Sequence, residues 1–430
     1  MKLKMNQSTL SSVSAAALLA FCHLPGHAAG DDDTPFSLKL SETVTYDTNY
    51  ARNTEDQAEV VSSTGVTLGL NKSYGRQIYT ASGRFGIDKH KNFKDQDNNN
   101  YDLSAGFTSG IASNWVVALN GSTSERLNSV ENNPLNNRLA KNMATLHNVG
   151  ANVQYGVAGR WSLLGSLGMA RNSYSLASYV DQNRDQNSGG LRLVYNTSDL
   201  LSFGVGVSTA NTKYPNQIVA GVPEEIKQNS LDFSTNWQVT GFSRLDAVLS
   251  YAKNKYKSDS NADFKGFTGR LNWDYTPTGL TTYSLSAARS TNNDGSGTGL
   301  RNGLRDPQNF FEAITNTGRF VDTTINSVTT SVDGRMRWTP TAKLGFVAGL
   351  GWDKYDVNTS RTNGLSGKTS SDYTVVSLSS DYSFSRAIAV GCSIRQYKQS
   401  AESNPQVPTS TQRVGHDGRQ FSCNASFTID

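Results

Sequence analysis

Between residues 343 and 355 the sequence reads KLGFVAGLGWDKY. Leu344, Phe346, Ala348, Leu350 and Trp352 take alternate positions, with Gly345, Val347, Gly349 and Gly351 between them. A period of two is the repeat of a strand whose two faces meet different surroundings. The same alternation runs from FSLKLSETVTY (36–46), GVTLGLN (65–71) and YTASGRFGI (79–87) through WSLLGSLGM (161–169) and FTGRLNWDY (267–275) to IAVGCSI (388–394) and FSCNASF (421–427). Eighteen such segments predict an all-β chain with little room for helices.

Connections between these segments alternate in length. Short ones fall at 73–75, 111–114, 158–160, 197–199, 241–243, 277–279, 340–342 and 385–387. Between them lie long polar ones at 88–99, 122–146, 174–188, 211–228, 254–264, 290–322, 357–372 and 399–418. Tight returns on one side and loose ones on the other are the pattern of a bacterial outer-membrane barrel, with periplasmic turns and extracellular loops. The reading is a transmembrane antiparallel barrel of about 18 strands with both termini in the periplasm.

The two faces differ in chemistry. Trp115, Trp161, Trp237, Trp273 and Trp338 lie on the apolar face beside short turns, while Trp352 with Tyr46, Tyr101 and Tyr251 marks the opposite rim. Amphipathic rings favour the boundary of water and lipid, so these positions read as two aromatic girdles. The second face carries Ser, Thr, Gly, Asn, Asp and Arg. Packed dry, such groups would each cost about 1–3 kcal/mol when left without a partner; a hydrated bore removes the cost, and about 16–18 strands are enough to hold one.

Inward parity selects Arg84, Arg126, Arg192, Arg244, Arg270, Arg335, Arg337 and Arg395, and also Asp88, Asp102, Asp232, Asp246, Asp274, Asp333 and Asp381. The two sets nearly balance, which points to neutral or mixed-charge solutes, or to Arg–Asp ladders that stiffen the wall. The 290–322 loop is the longest and contains NFFEAI (309–314), an aromatic patch able to fold inward or to stay outside as a lid.

Composition narrows the class further. Lys2 and Lys4, the apolar run VSAAALLAF (13–21) and the small residues before position 29 read as a signal peptide over residues 1–28, leaving 29–430 as the barrel. Phe21 before Cys22 does not fit a lipidation site. Removing the leader lowers the formal charge from +4 to +2, which predicts no nucleic-acid partner. No run of 18 apolar residues follows the leader, so no transmembrane helix is expected. The chain's polar average does not argue against a membrane, because a spanning strand needs only every second residue apolar. Beyond the leader, the remaining cysteines, Cys392 and Cys423, sit on the lipid-facing parity of the last two strands, and their midpoint falls near the centre of the 399–418 loop. That places them opposite one another, and a disulfide is favoured in an oxidising compartment over two thiols facing lipid.

Catalytic and metal-binding patterns are weak. His147 lies near the outer rim, but no G-x-S-x-G segment and no serine two residues after it supports a membrane-embedded hydrolase. DGSGTGLRNG (294–303) lacks the Lys-Ser/Thr of a phosphate loop, and DDD (31–33) and DQDNNNYD (95–102) lack the EF-hand spacing. No metal, no cofactor and no catalytic residue is expected. No plug domain precedes the first strand, which disfavours a receptor of the TonB-dependent kind.

Three further stretches carry a resemblance. TYDTNYARN (45–53), an Asp-x-Asn-x-x-Arg run after the first strand, with GRQ (75–77) and the closing FSCNASFTID, resembles outer-membrane β-barrel porins encoded beside exopolysaccharide biosynthesis genes. The resemblance implies a passive conduit for saccharides, engaged in polysaccharide export with periplasmic export components as partners. The alternatives are a general diffusion or nutrient-uptake porin, and an outer-membrane enzyme or adhesin with a blocked bore.

Overall fold

A computed structural model describes residues 35–112, 114–128, 139–156, 159–219, 221–257, 263–291, 327–360, 366–401 and 415–429. The leader expected over 1–28 and the NFFEAI segment lie outside the described residues. The strands are β1 (Phe36–Asp47), β2 (Glu59–Tyr74), β3 (Gln77–His90), β4 (Asn98–Ile111), β5 (Trp115–Leu127), β6 (Met143–Tyr155), β7 (Trp161–Tyr174), β8 (Arg184–Ser198) and β9 (Leu201–Val219). They continue as β10 (Val222–Thr240), β11 (Ser243–Tyr256), β12 (Phe264–Thr278), β13 (Thr281–Thr291), β14 (Ser327–Trp338), β15 (Leu344–Ser360), β16 (Ser366–Ser383), β17 (Ile388–Ala401) and β18 (His416–Ile429).

Each strand pairs antiparallel with the next, and β1 also pairs with β18, from Leu38 opposite Ile429 to Asp47 opposite Gln420. The 18-stranded sheet is therefore a closed barrel without an edge. Closure matters because an open edge would leave a row of unpaired N–H and C=O groups, intolerable in hydrocarbon. A strand of 14 residues such as β3, tilted by about 40°, rises roughly 35 Å along the axis, enough to cross a ~30 Å apolar slab.

Burial is inverted relative to a water-soluble protein. Leu167 and Leu350 are 69% and 60% exposed, whereas Asp232 and Glu224 are 3% and 2% exposed. Alternation forces this: Phe85, Leu119, Leu191, Phe233, Leu249 and Leu378 all point outward and form an apolar belt. In water each large side chain left exposed forgoes about 1.5–3 kcal/mol, and a continuous belt is an aggregation surface; hydrocarbon lifts both penalties. One carboxylate interrupts the belt near mid-height. Glu42 accepts hydrogen bonds at 2.5 Å from each of the Ser62 and Thr64 hydroxyls on the adjoining strand.

Two connections expected as loops are instead strand. β9 and β10 each run 19 residues and stay paired out to Val219 and Val222, so the described part of 211–228 is a hairpin extending above the belt. Gly221 supplies the left-handed backbone of its turn, at φ +81°. On the inner side Tyr214, Ile226 and Tyr256 pack into a buried cluster that ties the hairpin to β11. Likewise β15 and β16 stay paired out to Ser360 and Ser366, across most of the expected 357–372 loop.

Candidate channel and its lining

Inside the barrel, a cavity of about 1140 Å³ lies against the wall from β7 to β15, beside the short turn at Gly241–Phe242. Alternation carries polar side chains into it from β8 to β14, while β7 and β15 contribute Leu164 and Val347. Arg192 (β8), Arg244 and Asp246 (β11), Arg270 and Asp274 (β12), and Arg335 and Arg337 (β14) are its charged lining. Asn236, Gln238, Asn272, Thr276, Thr282 and Ser284 lie among them. The Arg244 Nε donates to Asp246 Oδ2 at 3.0 Å, and its Nη2 to Oδ1 at 3.3 Å. Asn236 also donates to Asp246 Oδ1, and Ser284 Oγ donates to Asp274 Oδ1 at 2.6 Å. The lining is therefore a surface of hydroxyls, amides and guanidiniums.

The remaining inward candidates occupy other arcs. Arg84 on β3 stands opposite Asp102 on β4, and both act electrostatically on Arg126 of β5. Asp88 accepts from Asn100 Nδ2 at 2.9 Å. Asp232 is held by the hydroxyls of Ser208 (2.9 Å) and Ser230 (3.0 Å). Asp333 lies between Ser286 and Gly351 in the sheet. Asp381 lies over Gly345, where a Cβ would come within 2.7 Å of its Oδ1. Arg395 donates to the Tyr373 hydroxyl at 2.8 Å. Arg244 and Asp246 form an ion pair within one strand, because i and i+2 share a face.

At the long-loop end, the Asp-x-Asn-x-x-Arg run is a clasp. Asp47, 2% exposed at the end of β1, accepts from the Asn49 N–H (3.0 Å) and the Tyr397 hydroxyl (2.7 Å) and pairs with Arg52 (2.8 Å). Arg52 also donates to the Asn49 carbonyl at 2.6 Å and lies 4.0 Å from the Tyr397 ring centre. Asn49 Nδ2 donates to the Asp417 carbonyl at 2.9 Å, so the first loop is fastened across the seam to β18. Arg52 takes a left-handed backbone, φ +53°, to close this ring of contacts. Tyr355, Tyr373 and Tyr397 line the inner wall beside it.

Neighbouring loops use the same device. Glu59, fully buried, accepts the backbone N–H groups of Val60, Lys91, Asn92 and Phe93. Above it Tyr50 meets His90 Nε2 at 3.0 Å. Burial, reinforced by the Glu59 charge, pushes the Tyr50 phenol far above its usual range. At Asp97 desolvation acts to raise the carboxyl, but the His90 N–H (2.7 Å) and the Lys89 ammonium (2.9 Å) outweigh it and hold the group below the usual carboxylate range.

On the outer face the tryptophans beside the short turns take aromatic neighbours. Trp273 stacks on Tyr275 and Trp338 on Phe346, while Trp115 and Trp161 meet Tyr155 and Tyr195 at a tilt, with ring centres 4.6–5.8 Å apart. Trp237 is 42% exposed at the same level and Trp352, near the other rim, 37%. Cys392 and Cys423 are directly opposite in the β17–β18 pair and carry a disulfide, S–S 2.12 Å. His147 accepts or donates at Nδ1 to the Thr123 hydroxyl, 2.8 Å away. No group of three His, Cys, Asp or Glu able to hold a metal occurs among the described residues.

Parity alone missed two features: the arginines of β8–β14 share one wall, and Tyr355, Tyr373 and Tyr397 turn inward. Strand order around the barrel would have revealed the first, and the inward parity of Tyr397 with Arg395 the second.

No family model matches the chain. No curated protein matches it either. Among solved structures it is similar to the siderophore receptor PirA from Acinetobacter baumannii (10% identity, TM-score 0.42, 93% of this chain and 81% of that one). It is also similar to the FrpB iron transporter from Neisseria meningitidis, F5-1 variant (8%, 0.47, 93% and 82%), and to OpdK from Pseudomonas aeruginosa, solved with vanillate (12%, 0.45, 92% and 98%). At these identities and scores the likeness says nothing of this chain's cargo.

Proposed function

We propose that this protein is a passive outer-membrane channel for saccharides, acting in exopolysaccharide export. The carrying observation is the pairing of an apolar belt outside with a polar cavity of about 1140 Å³ inside. The belt needs lipid, and a closed 18-stranded barrel is wide enough to keep water in its bore. Saccharides present rows of hydroxyls, and Asn236, Gln238, Asn272 and Ser284 offer matching donors and acceptors along the wall. The export assignment, with periplasmic polysaccharide-export components as partners, rests on the resemblance carried by Asp47, Asn49 and Arg52. No catalytic role enters this reading.

Planar-bilayer recording of the purified protein tests the channel, and a steady single-channel current is the expected result. A gene deletion tests the export step: secreted polysaccharide should fall, and unchanged secretion would overturn it. The second reading, a general uptake porin, shares the lumen and differs in outcome. Liposome swelling would then proceed with unrelated small solutes as fast as with saccharides.

A further inference from the structure

The inward charges are balanced over the whole chain but not over the cavity. Five arginines, Arg192, Arg244, Arg270, Arg335 and Arg337, face it with two aspartates, Asp246 and Asp274. Both acids are already engaged, Asp246 by Arg244 and Asn236, and Asp274 by Ser284. Counting Asp333, two positions from Arg335 on the same face of β14, as a third acid still leaves an excess of two positive charges. Arg192 and Arg270 repel one another across this wall. The Arg192 Nε, moreover, is buried and has no hydrogen-bond partner among the described residues.

Guanidiniums that outnumber the carboxylates of a cavity leave positive charge there for an anionic solute to meet. A planar fork of donors matches a carboxylate, sulfate or phosphate oxyanion, two oxygens at a time. Around the forks, Asn236, Gln238, Asn272 and Ser284 supply neutral hydrogen-bonding groups of the sort a sugar ring uses.

We propose that the β8–β14 wall is a binding track for acidic saccharides, with Arg192 and Arg270 holding the oxyanion and the amides and hydroxyls holding the ring. The track rests on the channel reading for its use in transport, but its binding chemistry stands apart from conduction. Arg244 is a positioning residue here, since its guanidinium is committed to Asp246.

Isothermal titration of the detergent-solubilised barrel with a uronic-acid trisaccharide, its neutral counterpart and inorganic phosphate tests the track. Binding of the acidic trisaccharide, stronger than that of either control, is expected. Arg192→Gln and Arg270→Gln should each weaken it roughly tenfold, the worth of one charge-assisted contact, and Arg192→Lys should restore part of the loss. Raising the salt from about 0.05 to 0.5 M should weaken wild-type binding several-fold, because the Debye length shrinks well below 10 Å; this arm needs no variant to fold. Equal affinity for acidic and neutral sugars, tighter binding of phosphate alone, no binding at all, or indifference to both salt and substitution would each overturn the track. A barrel that binds the uronate yet passes no current would keep the track and sink the channel; a conducting barrel that ignores the uronate would do the reverse.

Discussion

Replacing Asp47 by Ala should release the 48–58 connection between β1 and β2 without unfolding the barrel. The substitution removes the shared acceptor of three donors at once: the Asn49 N–H, the Tyr397 hydroxyl and the Arg52 guanidinium. The side chains of Asp47 and Arg52 are 3% and 15% exposed, so solvent can replace little of what is lost. Removing one member of a buried ion pair costs about 3–5 kcal/mol, and Arg52's partial exposure places this case near the lower figure. About 3 kcal/mol is roughly a hundredfold in the local opening equilibrium, at 1.4 kcal/mol per decade. Hydrogen exchange reads this directly. The amide of Tyr50, bonded to the Gln57 carbonyl at 2.8 Å, should exchange about a hundredfold faster. Trypsin should cut after Arg52 in the folded variant much sooner than in the wild type. The denaturant midpoint of the barrel should hardly move, since the clasp lies beyond the apolar belt. Exchange at residues 48–58 within threefold of wild type would refute the argument. So would Asp47→Ala and Arg52→Ala effects that simply add, because partners in one network must be coupled.

Three other outcomes follow from the same geometry. Reducing the Cys392–Cys423 bond, which spans 31 residues, should lower stability by about 3–4 kcal/mol on the chain-entropy account; urea unfolding in vesicles with and without reductant measures it, and coincident curves would contradict the account. Leu167→Arg on the lipid face, 69% exposed in the belt, should cost about 2–4 kcal/mol in a bilayer, read as a shift of the same unfolding midpoint, whereas Leu167→Phe should cost little. The folded Asp97 carboxyl titrates below its unfolded value of 3.8, so its stabilisation is complete above that pH and is lost as pH falls through the folded value. Amide protection at His90, whose N–H it accepts, should therefore be flat from neutral pH to about 5 and fall only below pH 3.8, and a loss already present at about pH 6 would exclude Asp97 as the cause.

Much of this architecture could be read from alternation, because in a barrel each strand has its own boundary condition: lipid on one side, water on the other. Leu344 through Trp352 announce both the strand and the face that meets lipid, and the short turns fix its lower end. The signal fails where the boundary condition ends. Above the belt, β9 and β10 stand in water on both faces, so residues 211–228 show no greasy alternation and look like loop, although backbone pairing and the Tyr214–Ile226–Tyr256 cluster keep them in strand. The lining was half legible. Parity gives the side on which Arg192, Arg244, Arg270, Arg335 and Arg337 fall, but their gathering on one arc comes from neighbouring strands being neighbours in space. The clasp was visible only as an unexplained motif, since its partner Tyr397 lies 350 residues from Asp47 and meets it only when the cylinder closes.

The sulfur bridge has a topological consequence. Both sulfurs belong to strands consecutive in sequence, so the covalent ring is confined to residues 392–423. The circumference is completed elsewhere, where β1 meets β18, through backbone N–H and C=O groups. Oxidation therefore rivets one stave to its neighbour without hooping the cask: the molecule can unroll, or accept its final strand during assembly, with the bridge intact.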